Sequence, residues 1–299
     1  MILCYYIYVG VIMNGIIVID KDKDYTSRDI VNITEKIFNT RKVGHAGTLD
    51  PMATGVLVLG LGTGVKILEY LNDNDKEYIA TVKLGLLTDT LDVTGNIIEE
   101  VKDFNITREE VESTLKSFIG KYDQVVPLYS SVKVSGERLY KYARNNKEVE
   151  LPSREVEIYN IELLSFNNDE FTFKTTVSKG TYIRSLIRDI GDKLNISCTM
   201  KELRRTRQGD FSLDDAITTQ DLKDEKLKIL PLEKALKNLL IVDVDSYIEN
   251  KINHGAILRN LYDKDLIAYR NQNNEIIAIY KVYEKDNTKV KPVKVFYGK

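Results

Sequence analysis

Apolar residues along the chain recur with the periods of both strands and helices. The segment at 15–20, which is apolar up to Asp20, and the apolar run at 55–60 predict two buried strands. A third strand is indicated where every second residue is apolar, at Tyr78, Ala80, Val82 and Leu84. Two further strands, at about 155–166 and 170–178, are separated by the turn signal at 167–169, which reads Asn-Asn-Asp.

Helices are predicted where apolar residues return every three or four positions. Ser27 is the expected N-cap of a helix whose apolar residues are Ile30, Ile33, Ile37 and Phe38. A capping box at 107–110 predicts a second helix, which Gly120 would terminate. Another amphipathic helix is predicted from Ile183, Leu186, Ile187, Ile190 and Leu194, and residues 219–238 have a helical pattern.

The order of these elements predicts an α+β fold. Strands and helices mix irregularly and neighbouring strands favour hairpins, so we expect a mixed, mainly antiparallel sheet flanked by helices. Beyond Leu239 the pattern changes to short β-rich runs, such as 267–269 and 275–280, with a turn signal at 271–274. The sequence therefore predicts a large domain at 13–238 and a small β-rich domain at 239–299.

Charge is nearly balanced over the chain but unevenly distributed. The 43 Lys and Arg residues face 45 Asp and Glu, for a net charge of -2, which by itself counts against nucleic-acid binding. Two segments, 133–147 and 201–207, are nonetheless basic, while acids collect at 99–112. A basic surface on an acidic protein would attract phosphates, because local potential steers a polyanion. Two solvated helix faces would give the same pattern.

Cysteine and histidine are scarce. Two Cys, Cys4 and Cys198, form neither a disulfide framework nor a zinc site of the usual spacing, and His45 and His254 are the two histidines. We therefore expect no metal centre, and the composition suits a reducing cytoplasm.

The most informative motif is Gly44-His-Ala-Gly-Thr-Leu-Asp50-Pro51. The two glycines let the backbone bend tightly, and Pro51 biases Asp50 toward an extended conformation. Such a segment can hold one carboxylate at the floor of a cleft. An ordinary Asp-Pro turn is the alternative.

This motif resembles the catalytic motif of the TruB family of tRNA pseudouridine synthases. Four further blocks resemble that family's in order and spacing, so that the resemblance extends over roughly residues 14–215. They are Lys76–Tyr78 with the run at 88–95, Pro127–Lys133 with Gly136–Arg144, Ser178–Arg184, and Leu203–Thr206.

The resemblance implies a pseudouridine synthase fold with a C-terminal PUA-like RNA-binding module. It implies an enzyme that isomerises a uridine in the T loop of tRNA, by cleaving the N1–C1′ bond and joining C5 to C1′. That reaction involves no redox change or net hydrolysis, so no cofactor is expected. The expected partner is tRNA alone, without a guide RNA or a membrane, and the expected enzyme is a cytoplasmic monomer.

The resemblance also assigns candidate roles to individual residues. Asp50 would be the catalytic carboxylate, Arg184 its ion-pair partner, and Tyr78 the ring that stacks on the extruded base and assists at C5. The alternatives are a phosphate contact for Arg184 and core packing for Tyr78. The further candidates for substrate or RNA contact are His45, Lys21, Leu203, Lys133, Lys141, Arg144 and Arg204.

Three of these candidates have more specific expected roles. His45 would contact the RNA beside the extruded nucleotide by stacking or hydrogen bonding, and Leu203 would form the apolar wall of the uracil pocket. Lys141 lies in the basic segment at 124–150, which is expected to close over the RNA.

One block departs from the family pattern. Where the family has D-K-P-x-G, this chain has Asp20-Lys-Asp22-Lys-Asp24, so that aspartates replace the proline and the glycine. A looser turn and weaker phosphate attraction are expected there. Two other functions stay open: a guide-RNA-dependent relative of the family, and a tRNA-binding protein without catalysis.

The first twelve residues are uncharged and mostly apolar or aromatic. They are too few to span a bilayer and lack the basic start of a signal peptide. Because the family's chains begin near the position of Met13, we expect a misassigned start codon upstream of Met13. A membrane anchor is the alternative.

Overall fold

A computed structural model describes residues 14–72, 75–145 and 147–296. The predicted extension at 1–12 lies outside these residues. Within them the chain forms two main sheets, one large and one small, with helices packed against the large one. The α+β class, with a mainly antiparallel sheet and a β-rich C-terminal part, is confirmed.

The strands of the N-terminal part are β1 (Gly15–Lys21), β2 (Val43–Ala46), β3 (Thr54–Leu61), β4 (Lys76–Leu84), β5 (Leu86–Thr88), β6 (Ile97–Glu100), β7 (Gly120–Val125), β8 (Lys133–Val134), β9 (Glu137–Arg138), β10 (Ser153–Asn167), β11 (Glu170–Val177), β12 (Cys198–Gln208), β13 (Phe211–Ser212) and β14 (Ile217–Thr218). Those of the C-terminal part are β15 (Leu240–Asp243), β16 (Leu258–Arg259), β17 (Leu266–Arg270), β18 (Ile276–Tyr283) and β19 (Asp286–Val295).

The α-helices are α1 (Ser27–Ile37), α2 (Leu68–Asn72), α3 (Arg108–Lys116), α4 (Leu139–Arg144), α5 (Ile183–Leu194), α6 (Thr219–Lys223) and α7 (Ser246–Asn253). Short 3-10 helices occupy Gly62–Lys66, Leu213–Asp215 and Leu232–Leu236.

The large sheet has the strand order β14-β1-β3-β12-β4-β11-β10-β7, with β2 paired to β3 and β13 to β12. Its pairs are antiparallel except β1 with β14 and β3 with β12. The parallel contact of β3 with β12 requires Gly55, because a Cβ there would lie 2.1 Å from the carbonyl oxygen of Arg205. This close approach places the strand that follows Asp50 beside the strand of Leu203 and Arg205.

Both faces of the central strands are covered, which explains their uninterrupted apolar runs. On β1, Ile17 and Ile19 belong to the hydrophobic cluster that includes the apolar sides of α1, α3 and α5. Ile16 and Val18 point to the opposite face and pack in a second cluster with residues of the C-terminal sheet. The large sheet is therefore a middle layer between helices and the small sheet.

The C-terminal sheet has the order β15-β17-β18-β19-β16. Ala268 and Ile279 from this sheet lie in the shared second cluster, while Ile277 and Tyr280 belong to a cluster on the other side, which includes Ile252 of α7. The strands predicted at 267–269 and 275–280 are thus present. The domain boundary at 238/239 and an RNA-binding role for the C-terminal part stay predictions.

Two predicted helix ends are wrong. The N-cap of α1 is Thr26, whose side chain accepts a hydrogen bond from the Asp29 amide, while the Asp29 carboxylate accepts one from the Thr26 amide. Ser27 lies inside the helix instead. α3 begins at its predicted capping box but ends at Lys116, and Gly120, with a φ of 105°, opens β7.

The predicted helix at 219–238 is also only partly formed. It is divided into α6 and the 3-10 helix Leu232–Leu236. Between them, Leu230 forms a bridge to Ile16 on β1, and this pairing interrupts the helix. In the part of the chain that the structure describes, no helix combines the length and the apolarity needed to cross a membrane.

Candidate active site

Asp50 lies in the loop between β2 and β3, and this loop is fixed on both sides of the carboxylate. The Gly47 carbonyl accepts a hydrogen bond of 3.0 Å from Arg205 Nη2. The Ser27 hydroxyl both accepts from the Leu49 amide at 2.9 Å and donates to the Leu49 carbonyl at 3.2 Å. These contacts hold the residues that precede Asp50.

The residues after Asp50 are held by the segment where the sequence departs from the family pattern. The Pro51 carbonyl accepts hydrogen bonds from Lys21 Nζ at 3.2 Å and from the Asp24 amide at 2.9 Å. Asp24 adopts a φ of 69°, the left-handed conformation for which glycine is best suited. The turn therefore contacts the Asp50 loop with an aspartate in the left-handed position.

Lys21 lies in the interior, not on a surface that RNA could contact. Its side chain is fully buried, and its ammonium donates to the carbonyls of Asp22, Tyr25 and Pro51. Burial lowers the pKa of Lys21 to about 8, although the charges of Asp22 and Asp50 act in the opposite direction. The predicted RNA contact of Lys21 is thus replaced by a role in holding the Asp50 loop.

Arg184 and Asp50 form a two-point ion pair. Arg184 Nε lies 3.0 Å from Asp50 Oδ2, and Nη2 donates to Oδ1 at 3.3 Å. The Arg184 side chain is 6% exposed and that of Asp50 is 35% exposed, so the carboxylate is the member of the pair that faces solvent. The pair forms across 134 residues of sequence.

Backbone carbonyls complete the surroundings of the guanidinium. Arg184 Nη1 donates to the Thr90 carbonyl at 3.1 Å, and Nη2 donates to the Tyr129 carbonyl at 3.0 Å. The Thr90 turn is ordered by Asp92, whose carboxylate accepts from the Thr90 hydroxyl and from the Thr94 amide. The run at 88–95 thus supports Arg184 through the backbone.

The ion pair lies at the wall of a cavity of about 440 Å³. The Asp50 loop, strands β4 and β12, the segment at 129–131 and the turn before α5 surround it. Tyr78 and Leu203 both line it and are 7% and 8% exposed. Tyr78 is paired with Arg205 and Leu203 with Ala80 in the β4–β12 register, so these side chains share the face toward the cavity.

Electrostatically, the cavity is suited to a polyanionic substrate. Among the described residues that line it, Lys76, Arg184 and Arg205 are cationic and Asp50 is anionic. The volume lies within the range typical of small-ligand sites and is sufficient for one nucleoside. The arrangement therefore presents one fixed carboxylate, an aromatic ring at Tyr78 and an apolar wall at Leu203 to a bound base.

Comparison with known proteins identifies the family. A family model described as "TruB family pseudouridylate synthase (N terminal domain)" matches residues 35–183, and one described as "tRNA pseudouridylate synthase B C-terminal domain" matches residues 184–248. A protein of Clostridium tetani named "tRNA pseudouridine synthase B" is 44% identical over 270 residues, which cover 90% of this chain and 92% of that protein. Its namesake from Bacillus pumilus is 39% identical over 301 residues, covering 95% and 97% of the two chains.

The chain belongs to the TruB family of pseudouridine synthases. It is therefore an isomerase, as the sequence resemblance implied.

Solved structures agree with this assignment. The chain in "Crystal Structure of a Cbf5-Nop10-Gar1 Complex" superposes with a TM-score of 0.73 at 29% identity, covering 98% of this chain and 87% of that one. The chain in "Structure of H/ACA RNP bound to a substrate RNA containing 2'-deoxyuridine" gives 0.71 at 28% identity, covering 95% and 85%. The pseudouridine synthase fold is confirmed.

The basic candidates lie away from the cavity floor of this TruB-family chain. Lys133 on β8 and Lys141 and Arg144 on α4 are exposed, in an arm at 127–151 that projects between β7 and β10. Arg144 lies over the ring of Tyr140, with 5.6 Å from Cζ to the ring centre, and Tyr140 lines the cavity. The arm thus joins an exposed basic surface to the site.

Arg204 and His45 are placed differently. Strand alternation puts Arg204 on the face of β12 opposite Leu203, where it pairs with Asp20 at 2.7 Å. His45 on β2 is half-buried, and burial, followed by the charge of Arg205, lowers its pKa below the ordinary value. The imidazole is therefore neutral at neutral pH. RNA contacts of Arg204 and His45 stay predictions.

Arg205 is the residue that sequence reasoning missed. The sequence places Arg205 only in the basic segment at 201–207, yet this residue is 1% exposed and donates to the carbonyls of Val56 and Gly47. Its neighbour Arg204 lies on the other face of β12, with a side chain that is 40% exposed. The alternation of β12 beside an apolar Leu203 was the signal that could have located it.

Proposed function

We propose that this chain converts a uridine in the T loop of tRNA to pseudouridine, with Asp50 as the reacting carboxylate and with no cofactor or guide RNA. The observation that carries the proposal is the two-point Asp50–Arg184 ion pair at the wall of a nucleoside-sized cavity. The names of the relatives support tRNA as the substrate.

In the proposed reaction the N1–C1′ bond breaks, the uracil turns, and C5 bonds to C1′ before its proton leaves. Asp50 acts at the sugar, by attack at C1′ or by removal of a proton from C2′. Arg184 holds the two oxygens of this carboxylate in one orientation. The composition of the nucleoside does not change, because the proton lost from C5 is balanced by the proton gained at N1.

Tyr78 and Leu203 would hold the extruded base. An aromatic ring replaces the stacking that a base loses on leaving the RNA, which contributes about 1–3 kcal/mol per base. Leu203 excludes water from the reacting centre. The arm at 127–151 would close over the T loop with Lys141 and Arg144 directed at phosphates.

The test is tritium release from a tRNA transcript that carries 5-tritiated uridine, incubated with the purified full chain alone. Stoichiometric release, mapped to one T-loop uridine, is the expected result. Asp50→Asn should abolish release while tRNA affinity changes only a few-fold, because the amide keeps the shape and loses the charge. Asp243→Asn is the matched control, since Asp243 forms a two-point pair with Arg270 on the C-terminal sheet.

Other outcomes would contradict particular parts of the proposal. Full activity of Asp50→Asn would exclude the carboxylate as the reacting group. No release by a folded wild-type chain that binds tRNA would favour the guide-dependent alternative or a binding function without catalysis. Release from a uridine outside the T loop would exclude the proposed target.

A further inference from the structure

Gln124 lies where the root of the arm meets the N-terminus of α5. It is the second-last residue of β7, is fully buried, and pairs with Arg154 in the β7–β10 register. Two residues further on, the Val126 amide donates to the Pro152 carbonyl and closes the base of the arm. Gln124 is therefore held rigidly by the ladder from which the arm projects.

The side-chain amide of Gln124 is fully used in hydrogen bonds. Its Oε1 accepts from the Tyr182 amide at 2.8 Å, and its Nε2 donates to the Tyr182 carbonyl at 3.2 Å and to the Tyr122 hydroxyl at 2.6 Å. Glutamine has two N–H donors and one carbonyl acceptor, so each is satisfied. The two bonds to Tyr182 fix which way the amide faces, because a backbone N–H can only donate and a carbonyl can only accept.

The contact with Tyr182 determines how α5 begins. Tyr182 is the N-cap residue of α5, and its own side chain makes no capping hydrogen bond. The first backbone amides of a helix have no partners within the helix. In α5 the Tyr182 amide finds its partner on β7, in the side chain of Gln124. Gln124 thus anchors the first turn of α5 to the root of the arm.

That first turn carries two groups of the active site. Tyr182 lines the cavity, and Arg184 follows two residues later. Arg184 reaches both Asp50 and the Tyr129 carbonyl, and Tyr129 lies in the arm just beyond its root. A small rotation of this turn would displace the guanidinium relative to both partners.

We propose that Gln124 is a positioning residue, which aligns Arg184 and Tyr182 with Asp50 and couples the seating of the arm to the reacting centre. The inference rests on the proposed function, because it takes the Asp50–Arg184 pair as the reacting pair. Gln124 itself does not reach the substrate. Its effect is on the rate of the chemical step and not on RNA affinity.

Gln124→Met tests this, because methionine keeps the length and shape of glutamine and loses both contacts with Tyr182. In single-turnover tritium release with saturating enzyme, we expect the rate constant to fall about 10- to 100-fold, as a displacement of about 1 Å at a reacting group does. The Kd for tRNA should stay within about threefold of the wild-type value.

Ser185→Ala is the matched control at the same junction. The Ser185 hydroxyl is buried and donates to the Val125 carbonyl at 2.8 Å, so it also joins β7 to α5. That carbonyl keeps a second donor, Arg188 Nη2 at 3.3 Å. Ser185→Ala removes a buried hydrogen bond without touching Tyr182, and its single-turnover rate constant should stay within about threefold of wild type.

Tyr122→Phe provides a second variant, which keeps the ring and removes the hydroxyl that accepts a hydrogen bond from Gln124 Nε2. We expect a several-fold lower single-turnover rate constant with unchanged tRNA affinity. If Gln124→Met does not fold, Tyr122→Phe tests the inference in its place, and an unchanged single-turnover rate constant of Tyr122→Phe would overturn it.

If Gln124→Met folds, a single-turnover rate constant equal to that of Ser185→Ala would overturn the inference. An effect on tRNA affinity alone, with an unchanged rate constant, would also overturn it. These results leave the proposed function intact if wild type is active and Asp50→Asn is not. No release by wild type would overturn the proposed function, and the inference with it.

Discussion

At the scale of single residues, the site depends on a buried guanidinium whose nitrogen atoms all have partners. A buried charge is costly unless it is paired and hydrogen-bonded. Each of the three guanidinium nitrogens of Arg184 contacts an acceptor, which is the Asp50 carboxylate or the carbonyl of Thr90 or Tyr129. The geometry of the ion pair is therefore set by three separate parts of the chain, and no single contact determines it.

Replacing Arg184 by lysine should lower turnover by about 100-fold or more, because one ammonium cannot span both carboxylate oxygens and the two carbonyls. Single-turnover tritium release measures this, with tRNA affinity expected within a few-fold of wild type. Arg270→Lys is the control, since it breaks a similar two-point pair that is exposed and remote. A variant Arg184→Lys with normal turnover would show that two-point pairing is unnecessary.

Lys21 gives the protein a pH-dependent stability with a definite sign. Its pKa is lowered from 10.5 to about 8, so between these values the unfolded chain binds more protons than the folded one. The free energy of unfolding, relative to Lys21→Met, should therefore be constant below about pH 8 and rise from there to about pH 10.5.

Urea unfolding of wild type and Lys21→Met at a series of pH values measures this difference. Lys23→Met is the control, because Lys23 is exposed in the same turn. A difference that falls with rising pH would mean that Lys21 is held by its acidic neighbours more strongly than it is destabilised by burial.

At the scale of elements, the arm at 127–151 links surface charge to the cavity. Its backbone is held within itself, since the Tyr140 amide donates to the Ser130 carbonyl and the Leu139 amide to the Val132 carbonyl. These bonds place α4 directly over the segment whose Tyr129 carbonyl accepts from Arg184. If α4 binds a phosphate, as proposed, these contacts would connect that phosphate to the backbone that holds Arg184.

Replacing Lys141 and Arg144 together by alanine should weaken tRNA binding and reduce its salt dependence. If each residue neutralises one phosphate, the slope of log K against log salt should become shallower by about 1.4–1.8. Titrations at several salt concentrations measure the slope. Arg108 and Lys116 on α3 are the matched control pair, exposed within the acidic part of the chain. An unaltered slope in the first variant would remove α4 from the RNA path.

At the scale of the whole molecule, the two main sheets share a hydrophobic cluster. Val56 and Val58 of the large sheet pack in it together with Ala268, Ile279 and Phe296 of the C-terminal part. An ion pair also joins the two parts, since Lys294 Nζ on β19 lies 3.2 Å from a carboxylate oxygen of Glu69 on α2. Separation of the sheets would expose the apolar side of β3, the strand that directly follows the Asp50 loop.

Ile279→Ala should therefore destabilise the whole chain and not the C-terminal sheet alone. Ile279 is fully buried in the shared cluster, and removal of such a side chain costs about 2–5 kcal/mol. Circular dichroism and tritium-release activity, followed through the same denaturant series, should report one coincident transition at lower denaturant. Val293→Ala is the control, as Val293 is exposed on β19. An early transition that spares activity would show that the C-terminal sheet unfolds separately.

The sequence alone predicted the features that depend on neighbouring residues. The buried strands, the capping box at Thr107, the turn at 167–169 and the helix from Ile183 follow from local periodicity and turn chemistry, and all are present. The motif around Asp50 indicated a fixed carboxylate, because glycine and proline restrict the backbone locally. The pairing with Arg184 came from the family resemblance and not from any local pattern.

Tertiary structure decided what depends on residues far apart in the chain. The N-cap of α1 is Thr26 and not the predicted Ser27, because the Ser27 hydroxyl is hydrogen-bonded to Leu49, 22 residues away. Lysine and arginine are usually surface residues, yet Lys21 and Arg205 are buried. The carbonyls that accept their hydrogen bonds are brought together only when the Asp50 loop folds. A charged side chain is buried where distant backbone groups supply its hydrogen bonds, and the sequence does not record where those groups meet.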